Sequence, residues 1–171
     1  MTMPPLVPTR RTVLLALLST GLAACGFQPR GWAELPPAMQ RVSLSGNREL
    51  AAALERLLRQ NGGQRVGDAK TATLRLTVTD YRDGRREVVI DPRARLREVE
   101  LTLQVRIRAE DAQGTVLLKD EAFEAARMMH YDPANLLGRG EEEARLRGEM
   151  HEIVAQSMLV RLRQRTTRVS D

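Results

Sequence analysis

Two histidines, one cysteine and a run of three glutamates are the side chains with which this 171-residue chain could begin a reaction. Their spacing does not favour one. His151-Glu152 opens like the zinc-protease pattern His-Glu-x-x-His, but Ala155 stands where the second histidine belongs. His130 and His151 alone are too few ligands for a transition metal. Gly138-Arg139-Gly140 is too short for a phosphate-cradling loop and lacks a following Lys-Ser/Thr pair. No Gly-x-Ser-x-Gly nucleophile elbow occurs. Glu141, Glu142 and Glu143 fit the start of a helix better than acid–base machinery. The sequence therefore predicts a protein that is not an enzyme and holds no metal.

Arginine is the remaining chemistry. Lysine occurs only at Lys70 and Lys119, whereas Arg82, Arg85, Arg86, Arg93, Arg95 and Arg97 crowd one predicted turn. Arg75, Arg106 and Arg108 extend basic character onto the wet face of the flanking strands. Such a cluster, with Arg85, Arg86, Arg93 and Arg95 at its centre, could clamp the phosphates of an anionic lipid through charge-assisted hydrogen bonds. Equally, it could be a solvated edge that discourages aggregation. Aromatic residues make up 3% of the chain, which counts against a sugar-stacking site.

The first 24 residues read as an export signal. Arg10 and Arg11 precede a mostly apolar run from Thr12 to Ala24, too short to span a bilayer, and charges interrupt every later apolar segment. The general secretory route suits this start better than the twin-arginine route. Leu22-Ala23-Ala24-Cys25 resembles the lipobox of bacterial lipoproteins, so Cys25 is expected to carry N-acyl and S-diacylglycerol lipid (palmitate-type chains) as a membrane anchor. No other cofactor is expected. As the sole cysteine, Cys25 leaves no intramolecular disulfide to form. Gly26 rather than Asp after it points, by lipoprotein sorting, to the outer membrane. Removing residues 1–24, with two arginines and no acid, leaves 25 basic and 22 acidic residues, a net +3. That density does not suit nucleic-acid binding.

The elements that must carry these groups follow from periodicity. Residues 25–39 read as a tether, interrupted by Pro29, Pro36 and Pro37 and tacked down by Trp32 and Leu35. Arg41–Ser45 alternates as a short strand. Asn47 then caps a helix whose Leu50, Ala53, Leu54, Leu57 and Leu58 form one stripe, ended by Gly62-Gly63. Leu74, Leu76 and Val78 alternate with polar residues, and the same parity returns at Val88 and Ile90; Val99 to Ile107 alternates as the partner strand. A weaker strand follows over 115–128. Asp132-Pro133 opens the last helix, with Leu146, Met150, Ile153, Val154, Ser157 and Val160 on its apolar face. Gly138, Gly140 and Gly148 weaken its first half, so it is expected to be firm only from about Glu141.

The fold class predicted is α+β, a two-layer sandwich with two helices on one face of a four-stranded, mostly antiparallel sheet, in the order β-α-β-β-β-α. Residues 40–165 would form its single domain and 166–171 a flexible tail.

Two segments resemble a known family. Cys25-Gly26-Phe27-Gln28-Pro29-Arg30-Gly31 resembles the mature start of the lipopolysaccharide-assembly lipoprotein family LptE. Asp132-Pro133-Ala134-Asn135-Leu136-Leu137, with Glu141 to Met150, is similar to that family's last helix, apart from the glycines. The resemblance implies a lipid-anchored protein on the periplasm-facing leaflet of the outer membrane. It implies an LptD-like β-barrel as partner, with the domain as a plug in the barrel lumen that assists barrel assembly and binds lipopolysaccharide. The rival reading is a periplasmic-facing lipoprotein adaptor of another outer-membrane barrel or lipid-transport machine.

Overall fold

Five strands lie in the order β2-β1-β3-β4-β5, and two helices cover one face of the sheet they form. The computed structural model describes residues 35–90, 96–130 and 136–169, all within one unit, Glu34–Asp171. The elements are β1 (Arg41–Ser45), α1 (Arg48–Gln60), β2 (Gln64–Arg65), β3 (Leu74–Ile90), β4 (Leu96–Asp111), β5 (Val116–His130) and α2 (Leu136–Val169). The predicted α+β sandwich is the class observed, with one strand more than the four expected. The addition is β2, which pairs parallel to β1 at the sheet edge. Its two residues are both exposed, so no alternation announced it.

Asn47 starts α1 as its residue type suggests, its side-chain oxygen accepting from the Leu50 N–H at 2.8 Å. Leu50, Ala53, Leu54 and Leu58 are buried against the sheet, and Gly62 takes the left-handed conformation, φ +77°, that ends the helix region. Between β1 and α1 the chain passes so near β3 that a Cβ on Gly46 would lie 2.9 Å from the Val78 Cβ.

β3 holds the main departure from the sequence reading. Leu74, Leu76 and Val78 face the helices, but Thr79 is an extra residue that shifts the register against β4. After this bulge every side chain changes face. Tyr81, Asp83, Arg85 and Glu87 now lie opposite Val105, Leu103, Leu101 and Val99 on the helix side. Val88, expected on the apolar face, is a large hydrophobic left exposed beside a second register shift. A further irregularity, near Lys119 and Asp120, explains the weak alternation of β5. β1 pairs with β3 only from Leu74 to Thr77, so the rest of β3 has no strand on that side among the described residues.

α2 runs 34 residues, about 50 Å at 1.5 Å per residue. It is helical from Leu136, earlier than the Glu141 expected. It also passes residue 165, where a flexible tail was expected. Thr166 is buried and its hydroxyl donates to the Leu162 carbonyl at 3.0 Å. The apolar stripe is rotated from the one expected. Leu146, Met150, Val154, Ala155, Met158, Leu159 and Leu162 are buried, whereas Ser157 and Val160 are exposed. The body likewise reaches back into the segment assigned to the tether: Leu35 and Met39 are core residues, and Pro37–Met39 forms a short 3-10 turn.

Candidate interaction surfaces

Of the arginines predicted to act together, Arg85 and Arg86 do not share a face. Arg85 and Arg86 are neighbours on β3, so their side chains point to opposite sides of the sheet. Arg85 turns to α2, where its guanidinium donates to a Glu143 carboxylate oxygen at 3.3 Å. Arg86 turns to the open face, where Nε and Nη2 both donate to Glu100 Oε2, at 3.0 and 2.6 Å. Two side chains on opposite faces cannot close on one phosphate. Arg93, Arg95 and Cys25 lie outside the described residues.

The open face of the sheet is a lattice of opposite charges. Glu110 accepts from Arg108 at 2.7 Å and lies 3.6 Å from Arg75. Hydrogen bonding by the Arg108 guanidinium holds the Glu110 carboxyl below its ordinary pKa. Arg106 reaches Asp120 at 3.4 Å, and Thr79 donates to the same carboxylate, so the bulges of β3 and β5 meet across β4. Arg82 and Asp80 pair at 3.0 Å. The basic character expected of Arg75, Arg106 and Arg108 is therefore offset by two acids, Glu110 shared by Arg75 and Arg108, and Asp120 facing Arg106.

On the helix side, the parity change builds a polar seam inside the sandwich. Arg147 of α2 contacts Asp83 and donates to Glu143 at 2.8 Å. One turn further, buried His151 stands between the Arg147 carbonyl, 2.8 Å from Nδ1, and the Tyr81 hydroxyl, 2.9 Å from Nε2. With Nδ1 facing a carbonyl, that nitrogen donates a hydrogen bond to it, and Nε2 shares the second hydrogen bond with the Tyr81 hydroxyl. Burial pushes the Tyr81 pKa up. The sequence reading passed over Tyr81, Asp83 and Arg147, and weighed His151 only as a metal ligand. Their signal was available: Glu143, Arg147 and His151 recur every fourth residue, and Tyr81, Asp83 and Arg85 every second. An open cleft of about 580 Å³ lies over this seam, walled by Asn47, Glu49 and Arg56 of α1 and by Gly148 of α2.

Neither histidine is placed for metal chemistry. His130 is exposed on the open face opposite Glu98, and His151 lies on the other side of the sheet. Among the described residues no group of three or more His, Cys, Asp or Glu could hold a metal ion. Nor is any helix among them long and apolar enough to cross a membrane. Glu141, Glu142 and Glu143 lie beyond the first turn of α2, where the helix dipole has faded. Glu142 and Glu143 serve instead as ion-pair partners, for Arg145 and Arg147.

Three solved structures share this architecture. The minor lipoprotein of Acinetobacter baumannii is 26% identical, with a TM-score of 0.60 over 75% of this chain and 94% of that one. Lipoprotein B from Nitrosomonas europaea is 25% identical, with a TM-score of 0.63 over 78% and 88%. Rare lipoprotein B from Shewanella oneidensis, 21% identical with a TM-score of 0.63 over 77% and 99%, shares the fold. A comparison with curated proteins finds no match. The family described as "LptE: Lipopolysaccharide-assembly" matches residues 39–162, from the first core methionine to the last buried leucine of α2. The chain belongs to the LptE family of lipopolysaccharide-assembly proteins.

Proposed function

We propose that this chain is a non-enzymatic outer-membrane lipoprotein, anchored by lipid on Cys25, that plugs an LptD-type β-barrel and binds lipopolysaccharide during delivery to the cell surface. The observation that supports the plug reading is the open face of the sheet, where Arg75, Arg82, Arg86, Arg106 and Arg108 all contact a carboxylate, Arg75 and Arg108 sharing Glu110. A barrel interior of this kind is polar. A surface whose arginines are ion-paired suits such an interior better than one of bare like charge. The anchor supports docking by confining the body to the membrane that holds the barrel, so that it meets its partner at high effective concentration.

Affinity capture of the full chain from detergent-solubilised outer membranes tests the partner. Recovery of an LptD barrel is expected. Recovery of a different barrel without LptD would replace the reading with that of an adaptor. Arg85, Arg86, Arg93 and Arg95 remain the proposed lipopolysaccharide contacts, with Arg85 and Arg86 on opposite faces of the sheet. Arg86→Ala should weaken lipopolysaccharide binding separately from Arg85→Ala, because the two side chains cannot hold the same group. Unchanged affinity in the fourfold alanine variant would return the cluster to a solvated edge. Cys25→Ala should abolish acyl labelling, and normal labelling would refute the anchor.

A further inference from the structure

Arg82, Arg86, Arg106 and Arg108 each reach a carboxylate on the open face within 3.4 Å, but Arg75 does not. Its nearest acid, Glu110, lies 3.6 Å away, beyond hydrogen-bond reach, and is itself bonded by Arg108 at 2.7 Å. Among the described residues no other group bonds the Arg75 guanidinium, although its side chain is only 28% exposed. Two guanidiniums thus share one carboxylate, and the three groups keep one net positive charge.

A hydroxyl beside it is equally unmet. Val42 and Leu44 of β1 are core residues, which turns Ser43 and Ser45 to the open face. Ser43 is 8% exposed, and its hydroxyl makes no hydrogen bond among the described residues. Buried polar groups are nearly always bonded, so an exception calls for a reason. The strand register sets Ser43 beside Arg75 and Ser45 beside Thr77, with Glu110 on the far side of Arg75.

These five polar residues line a crevice of about 170 Å³, walled on one side by Gly67 and Ala69 of the β2–β3 loop. The loop is fixed at both ends, where the Val66 and Thr73 N–H groups donate to the Val42 and Arg41 carbonyls at 2.9 and 2.8 Å. Between them the Asp68 side chain accepts from the Lys70 N–H at 2.8 Å. The Ser45 hydroxyl reaches the Leu76 carbonyl only at 3.5 Å, so it turns readily to a closer acceptor. The crevice is smaller than the roughly 300–1,000 Å³ of pockets for organic ligands, so its occupant is a small group.

We infer that this crevice binds a phosphate group, with Arg75 supplying the charge and the hydroxyls of Ser43, Ser45 and Thr77 donating to its oxygens. A guanidinium and three hydroxyls, drawn from two strands, are all donors, and Glu110 is already committed to Arg108. Donors with a net positive charge select an oxyanion, and the several oxygens of a phosphate satisfy more of them than the two of a carboxylate. Free phosphate and the terminal phosphate of a lipid headgroup share this chemistry. Arg75 lies ten residues along β3 from Arg85, about 33 Å at 3.3 Å per residue, so the site does not rest on the lipopolysaccharide contacts proposed above.

NMR spectra of the full chain in maltoside micelles test this, titrated with sodium phosphate against sodium chloride at equal ionic strength. Saturable shifts confined to residues 43–45, 66–70 and 75–77 are expected with phosphate and not with chloride. Arg75→Gln should weaken binding at least about 10-fold, and Ser43→Ala by about 5- to 10-fold. Ser43→Ala should also leave the urea midpoint unchanged or raised, because the hydroxyl it removes has no partner to lose. Glu110→Gln should tighten binding, since a competing negative charge is gone. Glycerol 1-phosphate, run in parallel, separates the two sources: tighter binding than inorganic phosphate assigns the site to a headgroup, weaker binding to free phosphate. Absence of saturable shifts in the wild-type chain, or shifts that survive Arg75→Gln unchanged, would overturn the site and leave the lipopolysaccharide reading standing.

Discussion

Arg147 and Asp83 make unequal demands on their surroundings, and a double-mutant cycle should expose the inequality. Arg147 contacts Asp83 and bonds Glu143 at 2.8 Å, and its side chain is 26% exposed. Arg147→Ala strands the Asp83 carboxylate, 30% exposed, and leaves the nearby Glu143, 22% exposed, with Arg85 as its remaining cation. Removing one partner of a fully buried pair costs about 3–5 kcal/mol. Partial exposure screens this, so a loss of about 2 kcal/mol is expected. Asp83→Ala leaves Arg147 still bonded to Glu143, so its loss should stay below about 1 kcal/mol. The coupling between the two sites should then be about 1 kcal/mol. Urea denaturation of wild type, both single variants and the double variant measures all four corners. Equal losses for the two single variants, with no coupling, would refute the placement of Arg147 between two acids. Replacing the pair by Asp83→Leu with Arg147→Leu should cost less than Arg147→Ala alone, because no unpaired charge remains at the pair.

Gly46→Ala should destabilise the fold by about 1–3 kcal/mol, read as a lower denaturation midpoint, since the position has φ +107° and the new methyl would press on Val78. A midpoint unchanged from wild type would show that β1 and β3 separate more readily than described. Stability should also depend on acid. Arg65 on Glu55, Arg108 on Glu110 and Arg145 on Glu142 hold these carboxyls below their ordinary pKa. A carboxyl held below its unfolded pKa adds stability above that pKa and loses it as the pH falls through the folded value. Thermal midpoints should thus change little from pH 8 to 5 and decline below about pH 4. A midpoint that rises on acidification would contradict these pairings.

Much of this architecture could be read in the residues, because most elements obey one period throughout. β4 keeps Val99, Leu101, Leu103, Val105 and Ile107 on one face without interruption, and α1 keeps its leucine stripe from cap to glycine. β3 was misread where it contains an extra residue. Val88 shares the parity of Val78 in the sequence, but Thr79 stands between them and reverses the faces. A bulge leaves no signature in hydrophobicity, since Thr79 fits either side. The stripe of α2 was misassigned for a related reason: Ile153 and Val160 are apolar but flank the contact, and Ala155 and Met158 fill it. The arginine cluster illustrates a further limit. Sequence shows that Arg85 and Arg86 are adjacent, and adjacency on a strand is what separates them.

The brevity of β1 gives the sheet a direction. Where β1 and β2 are present it is five strands across, roughly 24 Å at about 4.8 Å per strand; past Thr77 it is three, roughly 14 Å. A sheet tapered in this way can enter a confined bore narrow end first and stop where it widens. In the proposed barrel the five-residue strand would act as a shoulder, setting how far the body travels as well as which end leads.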